Sequence, residues 1–201
     1  MKLFYAPGAC SQAPHIAIQE MGLHVELVKV DLVKHTLADG SDYLAVNPKG
    51  YVPLLELDDG TRITEVSVIL QYLADLKPGT LAPVFGTMER WRLMEWLAFI
   101  ASEVHKGFSP LWRPVTPPEV RERTVQGLGN RFTLIAKTLG VQPYLTGQQF
   151  TVADAYLFVL LNWSGMLKVD LSPWPALGAF QARVAARPAV QAALRAEGLA
   201  K

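Results

Sequence analysis

Cys10 is the only cysteine in the chain, and its setting is the first that could do chemistry. It follows a short extended run, Lys2 to Tyr5, and a turn at Pro7 and Gly8. It stands directly ahead of a helical pattern formed by Ala13, Ile16, Ala17 and Met21. A sulfur at that place lies beside the unpaired N–H groups and the positive dipole end of a helix, where a thiolate is stabilised and its pKa falls. Taken alone, a free cysteine reads as a small buried hydrophobe, so position carries the functional reading. Val52 and Pro53, inside NPKGYVPLLELDDG, form a second feature. A proline opening a strand cannot donate to the ladder, and if its peptide bond is cis the residue before it turns its backbone N–H and C=O toward a ligand. An ordinary trans proline at a strand start is the plainer alternative. Glu65 and Ser67 open a helix, either as a first-turn acid that complements the dipole or as a carboxylate that takes an amine beside N–H groups that take a carboxylate. Glu103, His105 and Lys106 end an amphipathic helix ahead of Phe108, Leu111 and Trp112; a His and a Lys there suit the dipole, and they could also line a cleft. Thr151 and Asp154 make a T-x-x-D capping pattern, a structural device.

The elements that must position these groups change character near the middle of the chain. Lys2 to Tyr5, the helix after Ser11 at its cap, and His24 to Val30 read as strand, helix, strand, and so as a βαβ unit with parallel strands. A polar stretch runs from Asp31 to Asp42. Val52 to Leu57 and Thr61 to Thr64 flank Asp58, Asp59 and Gly60, and a DG turn between β-prone runs is a strong hairpin signal. Val68, Ile69, Tyr72, Leu73 and Leu76 then recur at helical spacing. KPGTLAPVFGT reads as a linker. Beyond it the chain is helical: Met88 to Lys106, ended by Gly107; Glu119 to Leu139; Thr151 to Leu167, nearly all apolar and therefore central; Trp174 to Ala186; and Pro188 to Glu197. The expected division is 1–77, a linker over 78–86, and a helical domain over 87–201.

Composition narrows the function classes. The chain has 201 residues, 50% of them hydrophobic and 18% charged, which suits a folded protein with one large or two small cores. Its 19 Lys plus Arg against 18 Asp plus Glu leave +1, with no run of like charge, which argues against nucleic acid or an anionic membrane surface as partner. Mean hydropathy is +0.18, yet the longest apolar run, Ala155 to Leu161, falls short of the roughly 20 residues of a span, so a soluble protein is expected. The N-terminus lacks the pattern of a secretory signal. A single cysteine permits no internal disulfide and no cysteine-based zinc site, and a reducing cytoplasm is the expected compartment. The four histidines, His15, His24, His35 and His105, lack ligand spacing, and no glycine-rich phosphate loop is present, so no metal is expected.

In order along the chain, these motifs resemble a glutathione transferase. MKLFYAPGACSQAPHIAIQE is similar to the opening of the bacterial beta class, in which a cysteine stands at this place; NPKGYVPLLELDDGTRITE resembles the family's glutathione site, with its cis-proline at Pro53. TEVSVILQYLAD resembles the third helix, EVHKGFSPLW the active-site side of the helical domain, and FTVADAYLFVLLNW the capping box and buried helix. The resemblance implies an α+β thioredoxin-like N-terminal domain followed by an all-α C-terminal domain. It implies that Cys10 faces the glutathione sulfur, with His105 as a proton donor or polarising group. It implies that Val52 bonds the cysteinyl backbone, and that Ser11, Tyr51, Pro53, Glu65, Val66, Ser67 and Lys106 surround glutathione, with His35, beside Lys34, at its glycyl carboxylate. Where the family often has a small or hydroxyl residue after the acid, this chain has Val66 and then Ser67. An electrophile pocket would be built from Tyr5, Ala9, Phe108, Leu111, Trp112 and Trp163. The implied activity is conjugation of glutathione to small hydrophobic electrophiles in a homodimer. A thiol-disulfide oxidoreductase acting through a Cys10 mixed disulfide, or a binding protein without turnover, are the alternatives.

Overall fold

The computed structural model of the chain describes residues 1–200. It divides into two compact units: Met1–Leu81 together with the chain from Ala186 onward, and Ala82–Ala185.

The first unit contains β1 (Lys2–Tyr5), α1 (Gln12–Met21), β2 (Glu26–Asp31), β3 (Thr36–Leu37), β4 (Leu54–Glu56), β5 (Arg62–Thr64) and α2 (Val66–Asp75). One sheet of order β3-β2-β1-β4-β5 unites the strands. β1 and β2 are parallel, as expected of a βαβ unit, while β4 runs antiparallel to β1 and β5 antiparallel to β4. The DG hairpin is present, its Gly60 at φ 83°, though the strands around it are shorter than the β-prone runs. β3, paired antiparallel to β2, lies in the polar stretch where no strand was expected; two residues carry too little pattern to be read. Side chains alternate across a strand, and Phe4, Val30 and Leu54 join Tyr43, Val52 and Ala6 in one buried cluster. Tyr5 points to the opposite face, its ring centroid 6.1 Å from that of His15 on α1. That face is where α1, with Ala13, Ile16 and Ala17 wholly buried, packs beside α2, with Ile69, Leu70 and Leu73 wholly buried. Gly22, at φ 61°, ends α1 in the left-handed conformation that only glycine adopts freely.

The second unit contains α3 (Met88–Phe99), a π-helical stretch at Ile100–His105, the short α4 (Lys106–Phe108), α5 (Pro118–Leu139), α6 (Val152–Met166) and α7 (Pro175–Ala185). α6 is buried almost all round, as its composition demands. Thr151 and Asp154 form the expected capping box: both carboxylate oxygens are used, one by the Leu145 N–H and the other by the Thr151 N–H and hydroxyl, each at 2.8 Å. Gly107 does not end a helix. It lies within α4, and a Cβ there would meet Leu128 Cδ2 at 2.8 Å, so the glycine serves the close approach of α5.

The last helix, α8 (Pro188–Ala196), packs on α1 and belongs to the first unit, whereas the sequence placed 186–201 with the other helices. Helical periodicity reports that an apolar face exists and is silent on which neighbour receives it. Among the described residues, no helix is long and apolar enough to cross a membrane.

Candidate active site

Cys10 sits between β1 and α1, two residues short of the first helical residue, and only 8% of it is exposed. Its Sγ donates to the Val52 backbone oxygen at 3.2 Å. The peptide bond between Val52 and Pro53 is cis, so the feature implied by the resemblance is present and stands against the cysteine. The expectation of a lowered thiol pKa is corrected. Burial pushes the Cys10 thiol up to about 12, outweighing the backbone N–H groups of Cys10 and Ser11, which act in the direction anticipated from the helix terminus; the Glu65 charge adds a smaller upward push. The resting sulfur is therefore a thiol and a donor.

Ser11 caps nothing with its side chain. Its hydroxyl is fully buried, accepts from the Ala6 N–H at 3.1 Å and donates to the Ala6 oxygen at 3.2 Å, stapling the turn that carries Cys10. On the other side of the sulfur, the segment ending at Val52 is shaped by two groups that the sequence reading missed. The Tyr43 hydroxyl and the Asn47 side-chain amide both donate to the Tyr51 backbone oxygen at 2.8 Å. A tyrosine and an asparagine in a polar loop carry no periodic signal, so only the fold reveals that they converge. Tyr51 itself is exposed, while Val52 and Pro53 are buried.

Glu65 precedes α2 with φ 71°, a backbone conformation few non-glycine residues adopt, and such outliers cluster at ligand sites. Its exposed carboxylate accepts from Lys49 Nζ at 2.9 Å, and the same ammonium reaches Thr64 Oγ1 at 2.9 Å. Lys49 was also missed, since one lysine beside a glycine has no sequence signature. Val66 is buried, pointing into the core, and Ser67 is half-buried on the first turn of α2. His35 adopts φ 53° and packs against Gly50, where a Cβ would come within 3.0 Å of the His35 ring; its Nδ1 is buried with no hydrogen-bond partner, and Lys34 beside it is exposed.

The remaining candidates belong to the second unit. His105 ends the π-helical stretch, a local widening often found at functional positions. Its Nδ1 lies 2.6 Å from the Tyr156 hydroxyl of α6, and its ring makes an edge contact with Trp163 at 5.0 Å. Trp163 also meets Phe108 at 5.8 Å and Trp112 at 5.2 Å, so these four aromatic groups form one cluster. Within it Phe108 and Trp163 are buried, and Trp112, 48% exposed, presents surface; Leu111 is buried and Lys106 exposed. Tyr5 is buried and Ala9 half-buried in the first unit. Burial, and then the nearby Glu197 charge, raise the Tyr5 hydroxyl pKa, so it stays protonated.

Comparison with known proteins accords with this arrangement. The family model for the glutathione S-transferase N-terminal domain matches residues 8–76, and that for the C-terminal domain matches residues 99–188. Glutathione S-transferase GstA of Escherichia coli O157:H7 is 50% identical over 201 residues, covering 99% of this chain and 100% of that protein. A bacterial beta class glutathione S-transferase from Sphingomonas chungbukensis superposes with a TM-score of 0.95 at 48% identity, covering 99% of this chain and 100% of that one. A sphingomonad glutathione S-transferase complexed with glutathione gives 0.94 at 46% identity, each chain being covered in full. With both family domains matched in order and half of the residues shared with GstA end to end, the chain belongs to the glutathione S-transferase family and is similar to its bacterial beta class.

Proposed function

We propose that this transferase binds reduced glutathione with its sulfur beside Cys10 and conjugates it to small hydrophobic electrophiles. The observation that carries the reading is the meeting of Cys10 Sγ with the Val52 carbonyl, 3.2 Å away beside a cis-proline, just ahead of the N-terminus of α1. A group kept as S–H can donate a hydrogen bond to the glutathione sulfur and so favour its thiolate, the form that attacks. The thiolate forms a carbon–sulfur bond, and the electrophile's leaving group departs with the electron pair. The Val52 backbone takes the cysteinyl part of glutathione, Glu65 with Ser67 the γ-glutamyl end, and His35 the glycyl carboxylate. In the second unit His105 is the proton donor or polarising group, and Trp112 takes the electrophile. The protein acts in the cytoplasm as a homodimer; exposed Phe85 and Trp91, 66% and 50% accessible with rings 6.2 Å apart, are apolar groups a second copy would cover.

The test sets wild type beside Cys10→Ser, with chlorodinitrobenzene as electrophile and oxidised glutathione as disulfide. Conjugation by wild type, with a raised KM for glutathione in Cys10→Ser and no adduct on wild type by intact mass, supports the reading. Ready formation of a reducible adduct at Cys10 without conjugation would replace it with thiol-disulfide exchange, in which the Cys10 thiolate attacks the disulfide and a glutathione thiolate leaves.

A further inference from the structure

Between Ile100 and Trp112 the chain changes helical pitch twice, from the π-helical stretch through α4 to a 3-10 turn at Ser109–Trp112. Helical pieces this short take their stability from what packs on them. His105 is held by α6, through Tyr156 and Trp163. The part that follows is seated on α5. Gly107 stands where a Cβ would come 2.8 Å from Leu128 Cδ2 and 3.6 Å from Leu128 Cγ, the first too close to be made without a shift. One turn further along α5, Phe132 receives the next residue, Phe108, with ring centroids 6.2 Å apart. Leu128, Phe132 and Phe108 are at most 1% exposed, so none of them can swing into solvent to make room. Phe108 in turn meets Trp163 at 5.8 Å, and Trp163 meets the exposed Trp112 at 5.2 Å. The Thr116 hydroxyl donates to the Pro110 oxygen at 2.6 Å and ties the far side of the 3-10 turn.

Glycine is a poor helix former, so its place in α4 is explained by an approach that only a missing side chain allows. We propose that Gly107 is a positioning residue for the electrophile surface: it lets the segment that carries Trp112 settle against Leu128 of α5, and that depth sets where the Trp112 ring stands against Trp163. The proposal rests on Trp112 taking the electrophile. A methyl group on Gly107 pushes α4 off α5, draws Phe108 away from Phe132 and shifts Trp112 along the edge of Trp163, because a close-packed interior transmits the strain. His105 keeps its partners on α6, so the loss falls on electrophile binding.

The experiment measures steady-state kinetics with chlorodinitrobenzene as electrophile for Gly107→Ala and for Gly107→Ala combined with Leu128→Val, in which the carbon added on one helix is offset by the carbon removed from the other. Val184→Ala, which opens a cavity on α7 outside the aromatic cluster, controls for general loosening. Gly107→Ala should raise the KM for chlorodinitrobenzene about fivefold or more, with the KM for glutathione and kcat within about twofold of wild type. The double variant should bring the electrophile KM back to within about twofold of wild type, and Val184→Ala should leave it there even where its Tm loss is the larger. An unchanged electrophile KM in Gly107→Ala, an equal rise in Val184→Ala, or no recovery in the double variant overturns the proposal. Should Gly107→Ala fail to fold, Leu128→Phe overfills the same contact from α5 and must raise the same KM; a wild-type value there overturns it. Failure of the active-site reading is seen separately: Trp112→Ala would leave the electrophile KM unchanged, while the near-ultraviolet circular dichroism of the Trp112 and Trp163 rings would still change in Gly107→Ala and return in the double variant.

Discussion

Cys10 shows how two opposing effects are decided by magnitude. Backbone N–H groups at a helix start favour a thiolate, but withdrawal from water disfavours it more, and the thiol is pushed up to about 12. Alkylation of the wild-type protein by iodoacetamide should therefore climb about tenfold per pH unit up to pH 10 without a plateau. An inflection between pH 5 and 7, read by mass spectrometry, would mean an ionised resting sulfur. The place of the thiol between strand, turn and helix was legible in the sequence; its protonation state was not, because burial belongs to the folded molecule. His105 carries a parallel expectation. The Tyr156 hydroxyl, 2.6 Å from its Nδ1, holds the orientation of the ring. Tyr156→Phe removes one hydrogen bond of about 1 kcal/mol, so kcat should fall about 2- to 10-fold with the KM for glutathione unchanged. A change confined to KM in steady-state kinetics would place the tyrosine in binding instead.

At the scale of elements, the capping box of α6 is the part most fully readable in advance, since T-x-x-D ahead of an apolar run states both the cap and the helix. Asp154→Ala would leave the Leu145 and Thr151 N–H groups unpaired in the interior, at about 1–3 kcal/mol each. Chemical denaturation should show a total loss of roughly 2–5 kcal/mol. Burial raises the Asp154 pKa from 3.8 to about 6, although four hydrogen bonds, from the Leu145 N–H, the Thr151 hydroxyl and N–H and the Asp154 N–H, pull it down. Because the folded value lies above the unfolded one, the protonated group contributes stability below pH 4 that is lost as pH rises through 6, roughly 3 kcal/mol in all. Asp154→Asn has no such dependence, so its cost should be largest near pH 4 and smallest at pH 7; a cost growing with pH would reverse this assignment. Four of the five strands were readable, because side-chain alternation and the DG turn are local, and the two-residue β3 was not. Tyr43, Asn47 and Lys49 were not, since each gains its role from a partner brought near by the sheet. Gly107 was misread for the same reason: a glycine required by Leu128 of another helix looks, in sequence, like a stop.

Over the whole molecule, the exposed pair of Phe85 and Trp91 sets an expectation about assembly. Sedimentation should give twice the chain mass, and Phe85→Glu should shift it toward the single chain, because a charge in a closed apolar contact must be taken from water; a wild-type monomer would remove the dimer from the functional reading. The first of the two units is completed by α8, from beyond the second, and no local pattern in the sequence announces that. That closure has a temporal side. Synthesis makes Gly8, Gln12 and His15 more than 180 residues before Glu197, so the three groups wait without the carboxylate that pairs them while the chain between is made. β1, α1 and the sheet can assemble on the growing chain, yet the turn around Cys10 acquires this clasp only after Glu197 has been added. Until then the growing polypeptide carries Cys10 in a looser setting than the folded chain does.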